Sequence, residues 1–328
     1  MEPVLSTVDQ EPLISVVIPA YNAGKFLNES LESMRNQTLS AIEIIVVDDG
    51  SNDDTADVAR RHAAADLRVR VVSQQHRGVV AARNRGLALA RAPWVALLDA
   101  DDVSLPTRLE RQLAYLREHP DVAALGTYGY RIGEHGRQLG VFDIGDADLD
   151  QYRRARAENE VIHLLASSVV MSRHLVQAVG GFRDYAGMVE DVDLWTRLAD
   201  DNPVLALPER LVLYRVHGQS ASTQRFYQQM TDTLLIAENT ARRRSGRPEL
   251  DPAAFQRMLE SRPLLERLQR KAEWRSRYYY RVAGGLLADR KLRGVWWLAL
   301  SFLFWPKVPL ARLRSQILPW LRTRRLSR

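Results

Sequence analysis

A short apolar run that ends in a cluster of acids is the stretch of this sequence best suited to chemistry. Trp94 to Leu98 has the length of a buried strand, and Asp99-Ala100-Asp101-Asp102 follows it directly. Side chains alternate along an extended chain, so Asp99 and Asp101 point to the same side if that geometry persists. Two ionised carboxylates this close repel each other, and a hard divalent cation such as Mg²⁺ or Mn²⁺ would offset the repulsion. The alternative is an acidic turn that caps a helix beginning near Leu105.

Two further acidic sequences lie where an element ends or begins. Asp48-Asp49-Gly50-Ser51 follows another apolar run, and Glu190-Asp191 opens a segment with helical spacing. Asp49 could bind a ligand, or it could cap the helix that follows Gly50. Acids at a helix N-terminus also favour the helix through its macrodipole, which gives the second sequence a structural alternative to a catalytic role.

Strands and helices that would position these acids alternate along the first part of the chain. The predicted strands are Leu13–Pro19, Ile42–Val47, Val69–Ser73 and Trp94–Leu98, and the helices between them end near Asn36, His62 and Arg91. This alternation predicts an α/β fold with a doubly wound, mainly parallel sheet. Ligands of such sheets bind beyond the carboxyl ends of the strands, which is where the loop 19–22 and both strand-end acidic clusters fall.

The sequence up to residue 245 predicts further elements of the same domain. They are a helix over Leu105–Glu118, strands over Val122–Ile132, Ser167–Met171 and Leu211–Val216, and a helix from Glu190 to about Asp200. The last strand would deliver His217 into a loop. The polar segment 143–160 predicts a mobile surface loop, with a lid as one interpretation. Because Gly246-Arg247-Pro248 and Asp251-Pro252 interrupt the helical pattern, we expect an N-terminal tail (1–12), a catalytic domain (13–245) and a helical C-terminal region (246–328).

Seven short motifs, taken together and in order, resemble the family 2 glycosyltransferases of the GT-A fold. They are Pro19-Ala20-Tyr21-Asn22, Val47-Asp48-Asp49-Gly50-Ser51, Ala82-Arg83-Asn84-Arg85-Gly86, Leu98-Asp99-Ala100-Asp101-Asp102, Gly180-Gly181-Phe182, Glu190-Asp191 and Tyr214-Arg215-Val216-His217. The resemblance extends over residues 13–225, and it implies a Rossmann-like GT-A domain with a C-terminal helical extension.

The resemblance implies a donor site for a nucleotide diphosphate sugar. Pro19 and Tyr21 would flank the base, with Tyr21 stacking on it, although Tyr21 could also be an ordinary loop aromatic. Asp49 would accept a hydrogen bond from the base, which favours uracil. Arg83 and Asn84 would lie near the nucleotide, although a solvated helix face is the alternative for Arg83 and the preferred interpretation for Arg85.

The resemblance also implies a metal site and a catalytic base. Asp101 would bind the divalent metal, Mg²⁺ or Mn²⁺, and Asp99 would face the ribose or the metal. His217 would be a further ligand to metal or diphosphate, with a plain surface histidine as the alternative. Asp191 would be the general base, with Glu190 beside it. Trp195 follows Asp191 by one helical turn and could form an acceptor-side floor for a sugar ring, or it could be a core tryptophan.

Composition narrows the class of protein. The chain has 328 residues, 46% hydrophobic and 26% charged, which is enough for an ordinary packed core. It contains no cysteine, which excludes disulfides, thiolate metal sites and cysteine catalysis. The polar N-terminus has no apolar signal region, so we expect a cytoplasmic catalytic domain.

The positive charge is concentrated at the C-terminal end. Residues 281–328 contain eleven Lys or Arg and one acid, a net +10 in a chain whose total is +6, which leaves −4 for residues 1–280. The apolar run Gly294–Trp305 would form a helix about 18 Å long, short of a bilayer core of about 30 Å. The residues Trp296, Trp297, Trp305 and Trp320 favour the membrane interface, and Trp296, Trp297, Phe302 and Phe304 would insert into it. We therefore predict that residues 284–328 attach to an anionic membrane surface, with packing on the catalytic domain or on a second subunit as the alternative.

These features together predict a non-processive, inverting glycosyltransferase on the inner face of the cell membrane. It would transfer a sugar from a nucleotide diphosphate sugar, with UDP-sugar preferred, to a hydroxyl of a lipid-linked or surface-polysaccharide acceptor. Processive relatives carry a Gln-x-x-Arg-Trp motif and membrane spans that this sequence lacks. The alternatives are a nucleotidyltransferase on a similar fold and a catalytically silent membrane adaptor. The apolar content of the tail argues against nucleic-acid binding.

Overall fold

A computed structural model describes residues 11–187, 189–217, 225–288 and 291–311 of the chain. Their contacts form two compact units. The first comprises the described residues of Met1–Gln224 together with Asp232–Glu249, and the second those of Arg225–Thr231 and Leu250–Arg328. The division between Glu249 and Leu250 lies close to the predicted boundary at residue 246. The predicted domain limits themselves stay a prediction.

The first unit is built on a nine-stranded mixed sheet in the order β3-β2-β1-β4-β8-β6-β9-β5, with β7 paired to β6. The strands are β1 (Ile14–Ala20), β2 (Ile42–Asp48), β3 (Val69–Ser73), β4 (Trp94–Leu97), β5 (Val103–Ser104), β6 (Ala124–Gly133), β7 (Gln138–Phe142), β8 (Val170–Ser172) and β9 (Val204–Val216). Strands β1 to β4 pair in parallel, as predicted, and β8 joins β4 in the antiparallel direction. The fold is of the predicted α/β class, and its N-terminal strands β1 to β4 form the parallel part of the sheet.

Helices of the first unit cover both faces of this sheet. They are α1 (Gly24–Arg35), α2 (Thr55–Ala65), α3 (Val79–Leu89), α4 (Arg108–Glu118), α5 (Leu149–Ala157), α6 (Arg173–Ala178), α7 (Glu190–Leu198) and the later part of α8 (Phe226–Arg244). Every residue of β2 is buried, and so is every residue of β1 except Pro19, which lies in the strand and is half-buried. Helices on both faces account for the unbroken apolar runs that mark these strands in the sequence.

The segment 143–160, predicted as a mobile surface loop, contains helix α5, so that prediction is wrong. Asp148 caps the helix by accepting hydrogen bonds from the backbone N–H groups of Asp150 and Gln151. Arg156 is buried and donates to Asp200 Oδ1 at 2.5 Å. The sequence misleads here because the buried face of α5 includes an ion-paired arginine, which the hydrophobic pattern counts as polar.

The second unit is helical over its described residues. Helices α9 (Pro252–Glu260), α10 (Leu264–Ala288) and α11 (Arg293–Phe304) follow one another, and α10 and α11 pack together. The predicted membrane-binding segment 284–328 therefore begins inside α10 rather than at a boundary. In the described part of the chain, no helix combines the length and the apolar character needed to cross a bilayer. Trp320 and the arginines from Arg312 onward lie outside the described residues.

Candidate active site

The end of β4 and the end of β9 meet at Asp101 and His217. Nε2 of His217 lies 2.9 Å from Oδ2 of Asp101, although the two residues are 116 positions apart in the sequence. The carboxylate of Asp101 remains about one-third exposed, and His217 is less so. The Phe26 ring of α1 packs against the His217 imidazole, with 5.2 Å between the ring centroids. The predicted juxtaposition of an acid and a histidine at the sheet edge is therefore present.

This pair is compatible with a divalent cation that takes its other ligands from a diphosphate. No three His, Asp or Glu side chains converge as a self-sufficient metal site among the residues with described positions. Mg²⁺ commonly uses one or two carboxylates plus substrate phosphates, at about 2.1 Å in octahedral geometry. Neighbouring ligands of such an ion lie about 3.0 Å apart, close to the 2.9 Å between Asp101 Oδ2 and His217 Nε2.

Arg215 ties the acidic turn after β4 to the end of β9, a role that sequence reasoning missed. Its Nε donates to the Asp101 carbonyl at 2.8 Å, and its backbone N–H donates to Asp102 Oδ1 at 2.7 Å. Its remaining guanidinium nitrogens donate to Glu29 Oε2 and to the Glu134 carbonyl, and its guanidinium carbon lies 5.0 Å from the centroid of the Phe26 ring. The signal available in the sequence was its place two residues before His217.

A buried arginine joins the two other acidic positions. Arg83 of α3 donates to Asp99 Oδ1 at 2.9 Å and to Glu190 Oε1 at 2.6 Å. Burial lowers the pKa of Arg83, but the charges of Asp99, Glu190 and Asp191 outweigh it, so the net pKa is raised and the guanidinium stays charged. A solvated helix face is therefore wrong for Arg83, whereas Arg85 is exposed as expected.

Glu190 and Asp191 open helix α7 at the edge of this cluster. Burial raises the pKa of Glu190 to about 7, against the opposing charge of Arg83. Burial likewise raises the pKa of Asp191, whose Oδ1 accepts the backbone N–H of Val192 at 2.8 Å. A carboxylate with a raised pKa is a stronger base than an exposed aspartate, so the position suits proton abstraction.

The turn Gly180-Gly181-Phe182 contacts Asn84 and Arg83 of α3. Asn84 donates through Nδ2 to the Phe182 carbonyl at 2.8 Å and accepts the Phe182 N–H at 3.0 Å. Gly181 has φ +69°, and a Cβ there would lie 2.8 Å from Asn84 Oδ1. The Phe182 ring then packs 5.5 Å from the Arg83 guanidinium. Both hydrogen-bonding groups of the Asn84 amide are thus engaged in holding this turn.

Asp49 holds the segment between β3 and α3. It accepts hydrogen bonds from Gln74 Nε2 at 2.7 Å, Arg77 N at 3.0 Å and Gly78 N at 2.8 Å, and His76 Nδ1 lies 2.8 Å from its Oδ2. Burial raises the pKa of Asp49, but these hydrogen bonds outweigh it and the net pKa lies below the ordinary value. The alternative that Asp49 caps the next helix is wrong, because its partners lie in residues 74–78. That Asp49 accepts a hydrogen bond from a base stays a prediction.

Tyr21 stands exposed beside this segment. Its ring stacks on His76 with centroids 4.0 Å apart and an angle of 23° between the planes. The loop that carries Tyr21 is joined to the end of β2, because Asn22 N donates to Ser51 Oγ and Asn52 N donates to Asn22 Oδ1. An exposed aromatic face at the carboxyl ends of β1 and β2 suits a planar base.

Trp195 does not face the site. Its side chain is 0% exposed and lies in the core cluster beneath α7, edge-on to Phe182 at 6.3 Å between ring centroids. It has no surface to offer a sugar ring, so the acceptor-side assignment is wrong and the core interpretation is correct. Helical spacing placed it one turn from Asp191, but the packing of α7 on the sheet turned that face inward.

The sequence of this chain is similar to those of known glycosyltransferases. The family model "Glycosyl transferase family 2" matches residues 15–179. The amylovoran biosynthesis glycosyltransferase AmsE of Erwinia amylovora is 33% identical over 65% of this chain and 80% of its own length.

Two solved structures share the fold. S. aureus TarS 1–349 in complex with UDP superposes with TM-score 0.54 at 18% identity, covering 92% of this chain and 91% of that one. The mannosyltransferase PcManGT from Pyrobaculum calidifontis, in complex with GDP-Man and Mn²⁺, gives TM-score 0.53 at 19% identity over 95% and 81%. From the family match, the similarity to AmsE and the shared GT-A fold, we conclude that this chain belongs to glycosyltransferase family 2.

Proposed function

We propose that this glycosyltransferase moves a sugar from a UDP-sugar to an acceptor hydroxyl by direct displacement with inversion, with Asp191 as general base. The observation that carries the proposal is the convergence of two clusters at the carboxyl ends of the strands. Arg83 joins Asp99 to Glu190, next to Asp191, and Asp101 lies 2.9 Å from His217. One cluster suits proton transfer and the other suits a diphosphate with its cation.

The donor assignment is supported by the exposed Tyr21 ring and by the structural relatives. TarS was solved with UDP and PcManGT with GDP-Man, so nucleotide diphosphates occupy this fold in both. Pro19 and Tyr21 would flank the base. Asp49 would act on the sugar donor by holding residues 74–78 in place. That segment supplies the N–H groups that hydrogen-bond to the Asp49 carboxylate.

Asp191 would accept the proton of the acceptor hydroxyl. The hydroxyl oxygen forms a bond to the anomeric carbon as the bond from that carbon to the diphosphate oxygen breaks, and the electron pair leaves with the nucleotide diphosphate. Its proton passes to the Asp191 carboxylate, whose pKa burial has raised. Glu190 is a positioning residue in this scheme, because it holds the Arg83 guanidinium at 2.6 Å.

A divalent cation, Mg²⁺ or Mn²⁺, would be held by Asp101 and His217, with Asp99 as a further ligand. When bound, such a cation acts as a Lewis acid on the developing negative charge of the diphosphate. PcManGT was solved with Mn²⁺, which supports the same cofactor class here.

The acceptor would be a lipid-linked or surface-polysaccharide precursor at the inner face of the cell membrane, and transfer would be non-processive. The support for a polysaccharide role is the similarity to the amylovoran biosynthesis enzyme. The support for membrane attachment is the basic, tryptophan-containing C-terminal sequence.

Calorimetry of UDP binding with Mn²⁺ and with EDTA tests the proposed donor and cation. We expect binding in Mn²⁺ that weakens at least tenfold in EDTA, and Asp101→Asn should reproduce the EDTA result without added chelator. Asp57→Asn, on the exposed face of α2, is the matched control and should bind as the wild type does. Equal affinity in EDTA and in Mn²⁺ would contradict the role of the cation, and absence of UDP binding under both conditions would contradict the donor.

A further inference from the structure

An exposed apolar stripe runs along helix α11. Leu292, which caps the helix, Val295, Trp296 and Leu303 are 83%, 54%, 76% and 76% exposed. Ala299 lies between them and is also exposed. Apart from the adjacent Val295 and Trp296, these positions recur at intervals of three or four residues, so they lie on one face about 100° wide. An exposed apolar face of this kind is unfavourable in water, so it indicates a binding surface.

The opposite face of α11 is fixed against α10. The rings of Trp297 and Phe304 lie 5.3 Å and 5.4 Å from Tyr279. Ser301 Oγ donates to the Ser276 carbonyl at 2.9 Å, and both residues are buried. The helix therefore cannot turn its exposed stripe inward without breaking these contacts.

We propose that the stripe Leu292–Val295–Trp296–Ala299–Leu303 is the surface that binds an anionic lipid bilayer. The inference rests on the membrane attachment included in the proposed function, and it names the residues that enter the lipid. It also revises the sequence prediction, which would insert Trp297 and Phe304 together with Trp296. Those two aromatic rings are engaged with α10, so they stabilise the helical pair instead.

The geometry and charge of α11 match an interfacial helix. Its 12 residues span about 18 Å, so the helix lies in the plane of the interface with its apolar face about 5–10 Å deep. Exposed Arg293 stands at its beginning and exposed Lys307 just beyond its end, where both can reach anionic headgroups. Trp296 is the residue type enriched at this depth.

A second copy of the chain fits the stripe less well. In a twofold dimer the same patch meets itself, so Arg293 and Lys307 of one copy would face a like-charged surface of the other. Residues 281–328 carry a net +10, which strengthens that repulsion and favours an anionic partner.

Vesicle flotation of the full-length protein with matched leucine variants tests the assignment. Leu303→Ser removes an apolar side chain from the stripe, and Leu265→Ser removes a similarly exposed leucine, 67% exposed, from α10 in the same unit. With vesicles of phosphatidylglycerol and phosphatidylcholine, we expect Leu303→Ser to weaken binding at least fivefold and Trp296→Ser at least tenfold. Leu265→Ser should leave binding unchanged. Calorimetric binding of UDP by each variant confirms that the catalytic unit is folded.

The outcomes separate this inference from the proposal beneath it. If the wild type ignores anionic vesicles at low salt, membrane attachment itself fails. If the wild type binds but Leu303→Ser and Leu265→Ser lose equal affinity, attachment stands and the stripe is wrong. Light scattering of the wild type and Leu303→Ser gives the second readout, because conversion of a dimer to a monomer by the substitution would assign the stripe to a second copy.

Discussion

Acidic residues follow both β2 and β4 in the sequence, but their surroundings in the structure differ. Asp49, at the end of β2, is 3% exposed, and among the described residues its carboxylate is contacted by Gln74, His76, Arg77 and Gly78. Asp101, just beyond the end of β4, is 32% exposed and has His217 beside it. The first acid organises a loop, and the second faces the open edge of the sheet.

The difference shows that a strand-end acid is available to a ligand where the protein itself supplies few hydrogen-bond donors to it. A carboxylate has room for about four hydrogen bonds. Asp49 accepts from two backbone N–H groups and from Gln74, and His76 lies against it as well, so the protein itself supplies most of this number. Asp101 keeps exposed oxygen surface that a ligand can reach.

The largest expected effect concerns Asp191, the proposed general base. Asp191→Asn keeps the Oδ1 that accepts the Val192 N–H but cannot take a proton, so turnover should fall by about 10²–10⁴-fold. Donor affinity should stay within twofold of the wild type. Single-turnover kinetics and calorimetry with UDP measure the two quantities. Near-normal turnover would remove Asp191 as the base, and loss of UDP binding would move it to the donor side.

Arg215 should sharpen the comparison at Asp101. Arg215→Lys keeps a charge but cannot reproduce the fork that contacts the Asp101 carbonyl, Glu29 and Glu134, so the acidic turn should shift. We expect UDP binding to require about 10–100-fold more Mn²⁺, while UDP binding in EDTA stays as in the wild type. A lowered melting temperature with an unchanged Mn²⁺ requirement would show that Arg215 supports the fold alone.

Asp49 provides the converse test, since its substitution should act on stability. Asp49→Asn places an N–H group against the donors of residues 74–78, and we expect a loss of about 1–3 kcal/mol in the free energy of unfolding. Asp57→Asn, on an exposed face, should change the free energy of unfolding by less than about 0.5 kcal/mol. Urea unfolding of both variants gives the values. If Asp49→Asn kept full stability and lost UDP binding, the two strand ends would not differ as described.

The smallest expected effect is a pH dependence at Glu190. Its folded pKa of about 7 lies above the ordinary 4.5, so the folded state binds a proton between these values that the unfolded chain releases. Stability from this group is therefore present at low pH and lost as the pH rises through about 7. Relative to Glu190→Gln, the wild type should lose stability between pH 5 and pH 8 in urea unfolding. A constant difference across that range would contradict the raised pKa.

The sequence by itself determined the alternating strands and helices and the positions where acids follow strands. Hydrophobic periodicity is a local property, so β1 to β4 were predicted within one residue at each end. The carboxyl ends of neighbouring parallel strands share one edge by geometry, which placed the strand-end acids at the correct side of the sheet. The family motifs predicted that Arg83, Asp99, Asp101, Asp191 and His217 belong to one site, and this assignment stays a prediction.

The tertiary structure alone decided which partner each of these side chains meets. The donors to Asp49 lie 25 to 29 residues away, and His217 lies 116 residues from Asp101, distances over which no local pattern reports contact. Helix α7 could have turned Trp195 outward or inward with the same spacing, and burial against the sheet chose inward. Helix α5 escaped prediction for the same reason, because Arg156 is buried by an ion pair with Asp200 that forms only when distant segments come together.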